Sequence, residues 1–175
     1  MTISARAEGT LTRFAFPPEW EADRQEAIRI LTDLPQNIRD ADAAFRLIEQ
    51  LRQSSPTTDR HGIGGNHPEE WTEDLPSVEE AITEATVARD VLLTELRSDQ
   101  PHLASIRLAG RALKRVLGWL KRIGKWFVET VAKTAIGWAV LHPDQTIQDL
   151  QGVEAKIAAA IAPIAHLFSL LHLPL

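Results

Sequence analysis

Asp59, Arg60, His61, Gly62, Ile63, Gly64, Gly65, Asn66, His67, Pro68 and Glu69 stand in a row, two imidazoles around three glycines. These residue types carry three kinds of chemistry. Glycines admit positive φ, so successive N–H groups can converge on an anion. Arg60 adds a forked donor for phosphate or carboxylate. His61 and His67, with Asp59, Glu69 and Glu70, are of the types that ligate divalent metals. The arrangement departs from known sites, however. GIGG lacks the Lys-Ser/Thr ending of a phosphate loop, and no strand-like run precedes it. A dinucleotide fingerprint fails for the same reason. The histidine spacing matches no standard metal site, so no metal and no cofactor are expected. A connector between helices is the leading expectation. A docking loop formed by Arg60, His61, Gly62, Gly64, Gly65, Asn66 and His67, with Trp71 as its anchor, comes next. Anion or metal binding comes last.

Residues 60–69, RHGIGGNHPE, resemble the RGIGHNNPPE signature of small uncharacterised proteobacterial and phage-associated proteins. Gly62, Ile63, Gly64, Asn66 and Pro68 match it. Gly65 replaces a His, His67 an Asn and Glu69 a Pro. The resemblance spans about ten residues and implies a bacterial origin. It brings no assigned activity, so no catalytic residue is carried over.

This stretch must be held by helices. Apolar residues recur at spacings of three and four in five segments, which predicts an all-α fold. The expectation is a helical bundle or an extended helical hairpin of about five helices, with the long Gly/His loop between the second and third. Residues 1–17 form an N-terminal arm, with TLTRFAF as a short extended piece. No signal-peptide core is present in the first residues. Residues 18–53 form an acidic helical pair, divided at Pro35, which ends or bends the first helix. Residues 54–76 are the loop or linker. Its roughly 23 residues exceed the usual ~12–15 of a structureless connection. Residues 77–175 form a further bundle. Ser77 and Glu80 have the spacing of a capping box that opens the third helix, which ends near Ser98. The fourth helix, from Pro101 to about Leu141, has a heptad-like seam of Leu113, Leu117, Leu120, Phe127 and Val131. Gly110, Gly118, Gly124 and Gly137 each cost about 1 kcal/mol relative to Ala, which predicts a kink, or a split near Gly118 or Gly124. The fifth helix, about 144–171, steps through Ile157, Ile164, Leu167 and Leu171. These two stripes are expected to pair with each other or with copies of themselves.

The charge is divided along the chain. Residues 1–100 carry 10 basic and 20 acidic groups, and every basic one is Arg. Residues 101–175 carry 9 basic and 4 acidic groups. Arg111, Lys114, Arg115, Lys121, Arg122 and Lys125 fall beside the seam of the fourth helix, among tryptophans. They are the residues that could meet an anionic surface such as a membrane. Nucleic acid is disfavoured, because the whole chain is acidic and no binding motif occurs. From Ile157 to Leu175 there is no Asp, Glu, Lys or Arg, which reaches the lower limit of a membrane span. Pro163, His166, His172 and a charged end after Leu175 argue for a packed helix instead. The absence of cysteine excludes disulfides and thiolate metal sites.

The functional expectation is a non-enzymatic, self-associating protein–protein interaction protein. It would be cytoplasmic, at most peripheral to the inner membrane, with itself or another protein as partner. The alternative is a membrane-active helical protein, effector or toxin-like, using the basic and apolar helices.

Overall fold

The computed structural model describes residues 14–54, 75–133 and 143–175. Among them are five α-helices and no strand. A 3-10 turn at Pro18–Trp20 leads into α1, Glu21–Asp40. Then come α2, Asp42–Ser54; α3, Val78–Arg97; α4, Leu103–Lys133; and α5, Pro143–Leu170.

Four helices form a ring in which α1 packs on α3 and α5, and α4 closes it by packing on the same two. Every neighbouring pair runs antiparallel, and cross-links fix the register. Trp20 Nε1 donates to Pro163 O at 2.8 Å, and further along α1 Glu26 lies near Lys156, earlier in α5, so α1 and α5 oppose. Arg24 reaches Leu96 O and Arg89 reaches Leu31 O, so α1 and α3 oppose. Arg115 pairs with Glu84 and His102 with Glu95 across α3 and α4. Lys121 pairs with Glu154 at 3.9 Å across α4 and α5. The result is an up-down-up-down bundle, the simple solution for amphipathic helices joined by short turns. It is not an extended hairpin. α2 lies on α5 and α1 at one end, its Phe45 ring 6.3 Å from Trp119. Phe14, Phe16 and Trp20 stack at the other end, with Arg24 4.8 Å above the Phe16 ring.

One core runs through all five helices, so α1 and α2 are not a separate unit. The seam is spent inside it. Leu113, Phe127, Ile157, Ile164 and Leu167 are buried to 1% exposure or less, and Leu120 is also buried. Leu117 and Leu171 are half-buried against the core. The side chain of Val131 lies outside the described residues. A second line, Ala109, Val116, Trp119, Ile123 and Trp126, is buried as well. Helix α4 is therefore covered on two sides, by α3 and by α5.

The expected division at Pro35 is corrected. α1 continues through Pro35 and breaks six residues later, at Ala41. A helical proline leaves the carbonyl four residues earlier without its N–H. Here that carbonyl belongs to Leu31, and Arg89 Nε of α3 donates to it at 2.8 Å. The neighbouring helix supplies what the proline removes. The expected break in α4 is also absent, since the helix is continuous through Gly110, Gly118 and Gly124. A Cβ at Gly118 or Gly124 would meet nothing within 4 Å, so neither glycine serves a close approach. Gly110 does: a Cβ there would lie 3.0 Å from Leu175 Cδ1 and 3.3 Å from Ile164 Cγ2. Residues after α5 fold back over α4 at this point. His172, at φ 54°, makes the turn, and Leu173 N–H donates to Phe168 O at 2.9 Å.

The Ser77 capping box is present in both halves. Glu80 N–H donates to Ser77 Oγ at 3.1 Å, and Ser77 N–H to Glu80 Oε2 at 2.7 Å. Hydrogen bonds from the Ser77 backbone and then its hydroxyl hold the Glu80 carboxyl below its ordinary range. Ser77→Ala is expected to cost about 1 kcal/mol of stability. A carboxyl whose pKa is lowered by folding stabilises above its unfolded value and stops as pH falls through the folded one. The stability gap between wild type and Glu80→Gln should therefore close in acid, as read from urea titrations at neutral and low pH.

Candidate functional site

A concave surface lies on the outer side of α3 and α4, where the hairpin faces away from the core. It is a groove of about 750 Å³. Val87, Ala88 and Val91 of α3 form one wall, and Leu108, Ala109 and Ala112 of α4 the other. Helical spacing explains the alignment: 84, 87 and 91 share a face of α3, and 105, 108, 112 and 115 share a face of α4. Val87 is 58% and Leu108 66% exposed, unusual for large apolar side chains in a well-packed bundle.

The rims of the groove differ in charge. Glu79, Glu80 and Glu84 line it on α3, while Arg115 lines it on α4. Arg111 and Lys114 are also exposed on α4, but neither lines the groove. The Arg115–Glu84 pair crosses the groove near one end. Among the described residues, Arg111, Lys114 and Glu79 form no ion pair. Beyond the other end, Arg107 Nε is buried without an acceptor, in a smaller recess shared with Leu103, Phe168 and Leu173.

The six cations singled out from the sequence are all exposed on α4, but they do not act as one free patch. Arg115 is held by Glu84 and Lys121 by Glu154; Lys125 lies 3.9 Å from Glu129, and Arg122 donates to Gly118 O at 3.3 Å. Trp119 and Trp126 point into the core and not to the surface. Trp119 Nε1 donates to Pro76 O at 3.0 Å.

Arg60, His61, Gly62, Gly64, Gly65, Asn66, His67 and Trp71 lie outside the described residues. The residues flanking them are well held: Arg52 donates to Leu75 O at 3.1 Å and to Pro76 O at 3.0 Å. Among the described residues, no three His, Asp or Glu groups converge as metal ligands would.

Sequence reasoning missed the groove. A signal was present: Leu108 interrupts the basic run Arg107, Arg111, Lys114, Arg115, and Val87 interrupts the polar run Thr83, Glu84, Thr86, Asp90. Each is a lone apolar residue on a polar face, and they acquire meaning only when α3 and α4 are placed side by side. No protein-family profile matches the chain, and comparison with characterised proteins and with solved structures finds no match.

Proposed function

We propose that this chain is a helical docking protein, which works by binding another polypeptide and not by catalysing a reaction. The α3–α4 groove carries the reading. Its apolar floor is rimmed by charge, the usual anatomy of a recognition surface. Grooves between antiparallel helices accept an apolar helix face through anchors at spacings of three and four. The core accounts for the apolar stripes of α4 and α5, whereas Val87 and Leu108 gain nothing from the fold. The resemblance at residues 60–69 supports a bacterial origin, and the absence of cysteine suits a reducing cytosol.

The test uses the lack of cysteine. Leu108→Cys, labelled with a benzophenone maleimide and irradiated in a lysate of the producing cells, should give a discrete polypeptide adduct. Adding Val87→Glu should remove that adduct. Absence of any polypeptide adduct sinks the reading.

A second reading, association with a membrane, is favoured by one observation. Helix α5 is long and apolar enough to cross a bilayer by length and composition, with a mean hydropathy of 1.4 over its most apolar window. It asks the bundle to open, since Ile157, Ile164 and Leu167 are buried. Under it, Lys121→Glu/Lys125→Glu reduces co-sedimentation with anionic vesicles at low salt. No binding by the wild type removes it.

A further inference from the structure

We infer that the recess between α4 and the end of α5 binds a small amphiphilic anion, an oxyanion head on a hydrocarbon body. It is a second place on the molecule and stands independently of the docking reading.

The recess measures about 390 Å³, within the range of small-molecule sites. Leu103, Arg107 and Arg111 line it at every fourth position, so one face of α4 carries all three. Leu108 lines both the recess and the α3–α4 groove, and so stands between them. Phe168 and Leu173 form the opposite wall. Main-chain bonds fix that wall. His172 N–H donates to Ser169 O at 3.0 Å and Leu173 N–H to Phe168 O at 2.9 Å, the bond pair that closes a helix on a left-handed residue. Leu173 is thereby held in place while 41% exposed. A wall already fixed need not be ordered by the ligand, which favours binding.

Charge and apolar surface together choose the ligand. Among the described residues, the charged side chains that line the recess are Arg107 and Arg111, and no acid does. Neither arginine has an ion pair there. Arg107 Nε is closed to solvent without an acceptor, so packing holds this guanidinium and its charge is uncompensated. Side chains one helical turn apart start about 5–6 Å from each other, so both guanidinium groups can close on one head. Their planar forks fit the paired oxygens of a carboxylate or a phosphate, and apolar walls strengthen the attraction. A bare inorganic anion would satisfy the arginines and leave Leu103, Leu108 and Leu173 in water. A neutral hydrocarbon would cover the leucines and shut two charges away unpaired. A molecule with both parts meets both demands.

Isothermal titration calorimetry of the full chain with octanoate and with octyl phosphate should show saturable one-to-one binding. Tighter binding of octanoate assigns a carboxylate head, and tighter binding of octyl phosphate a phosphate head. Acetate, inorganic phosphate and octanol should each bind at least tenfold more weakly. Arg107→Gln/Arg111→Gln should weaken the better amphiphile at least tenfold while keeping a cooperative helical melt. Ala104 is exposed and lines the recess, so Ala104→Trp should fill it with the same loss, and it serves if the arginine variant fails to fold. Lys114 lies on the next turn outside the lining, and Lys114→Gln should bind as the wild type does. Absence of saturable binding by both amphiphiles overturns the inference. So does binding that keeps full strength in Ala104→Trp, or a loss in Lys114→Gln as large as in the arginine variant. A head or a tail that binds alone as tightly as the whole also overturns it. Uptake by anionic vesicles with no binding of the dispersed amphiphiles rejects the recess and leaves the membrane reading.

Discussion

Leu120→Asp is expected to leave the chain without a stable bundle at room temperature. Leu120 is 3% exposed, on the face of α4 that meets Phe45, Ala85, Val153 and Ile157. The gap among these side chains is about 10 Å³, at the limit for a single water. A carboxylate there has neither solvent nor a partner. Losing the leucine costs about 2–5 kcal/mol, and burying the charge adds several more. The sum approaches the ~5–15 kcal/mol that holds a domain of this size together. Protonation is the escape. An acid in an apolar site has its folded pKa raised, so the penalty is smallest below the unfolded value near ~3.9 and grows as pH rises past it. Circular dichroism melts should show no cooperative transition at neutral pH and partial recovery in acid. Leu108→Asp, on the same helix but facing water, should keep its transition. A near wild-type melt for Leu120→Asp would mean that α4 does not lie between α3 and α5.

The second large effect is a coupling between Arg89 and Pro35. Arg89→Met removes the guanidinium donor to the Leu31 carbonyl and should cost about 1–3 kcal/mol, as expected for a half-buried acceptor left unpaired. Pro35→Ala restores an N–H at the position from which a regular helix bonds Leu31 O. In that background Arg89→Met should cost at least about 1 kcal/mol less. Arg89 also bonds Asp90 at the surface, but that contact is common to both backgrounds and cancels in the cycle. Urea titrations of the four proteins measure it. An equal cost in both backgrounds would show that the guanidinium serves something other than this carbonyl.

These two sites mark where sequence reading succeeds and where it stops. The stripes through Leu113, Leu120, Phe127, Ile157 and Ile164 are periodic and local, so the helices they build were legible. The start of α3 was equally so, because Ser77 and Glu80 are three residues apart. Pro35 was not legible. Its tolerance depends on a donor 58 positions from Leu31, and nothing nearby announces that. The continuity of α4 has a similar origin. Each glycine costs a helix about 1 kcal/mol, yet packing on two neighbours outweighs that cost. Trp119 and Trp126 stand among lysines and arginines, a pattern that fits a membrane interface as well as a packed helix. Phe45, Pro76 and the core claim them instead. The groove was hidden because half of it belongs to each helix.

The basic residues of the bundle divide by chemistry as well as by place. Arg24, Arg52 and Arg89 each aim a guanidinium at main-chain carbonyls of another segment, a task suited to a planar fork of donors. All five lysines, by contrast, lie beyond residue 113. An acylating reagent specific for primary amines would therefore discharge the lysines of α4 and Lys156 of α5, yet leave these three tethers untouched. Such treatment separates what the surface does from what keeps the chain folded, without a single substitution.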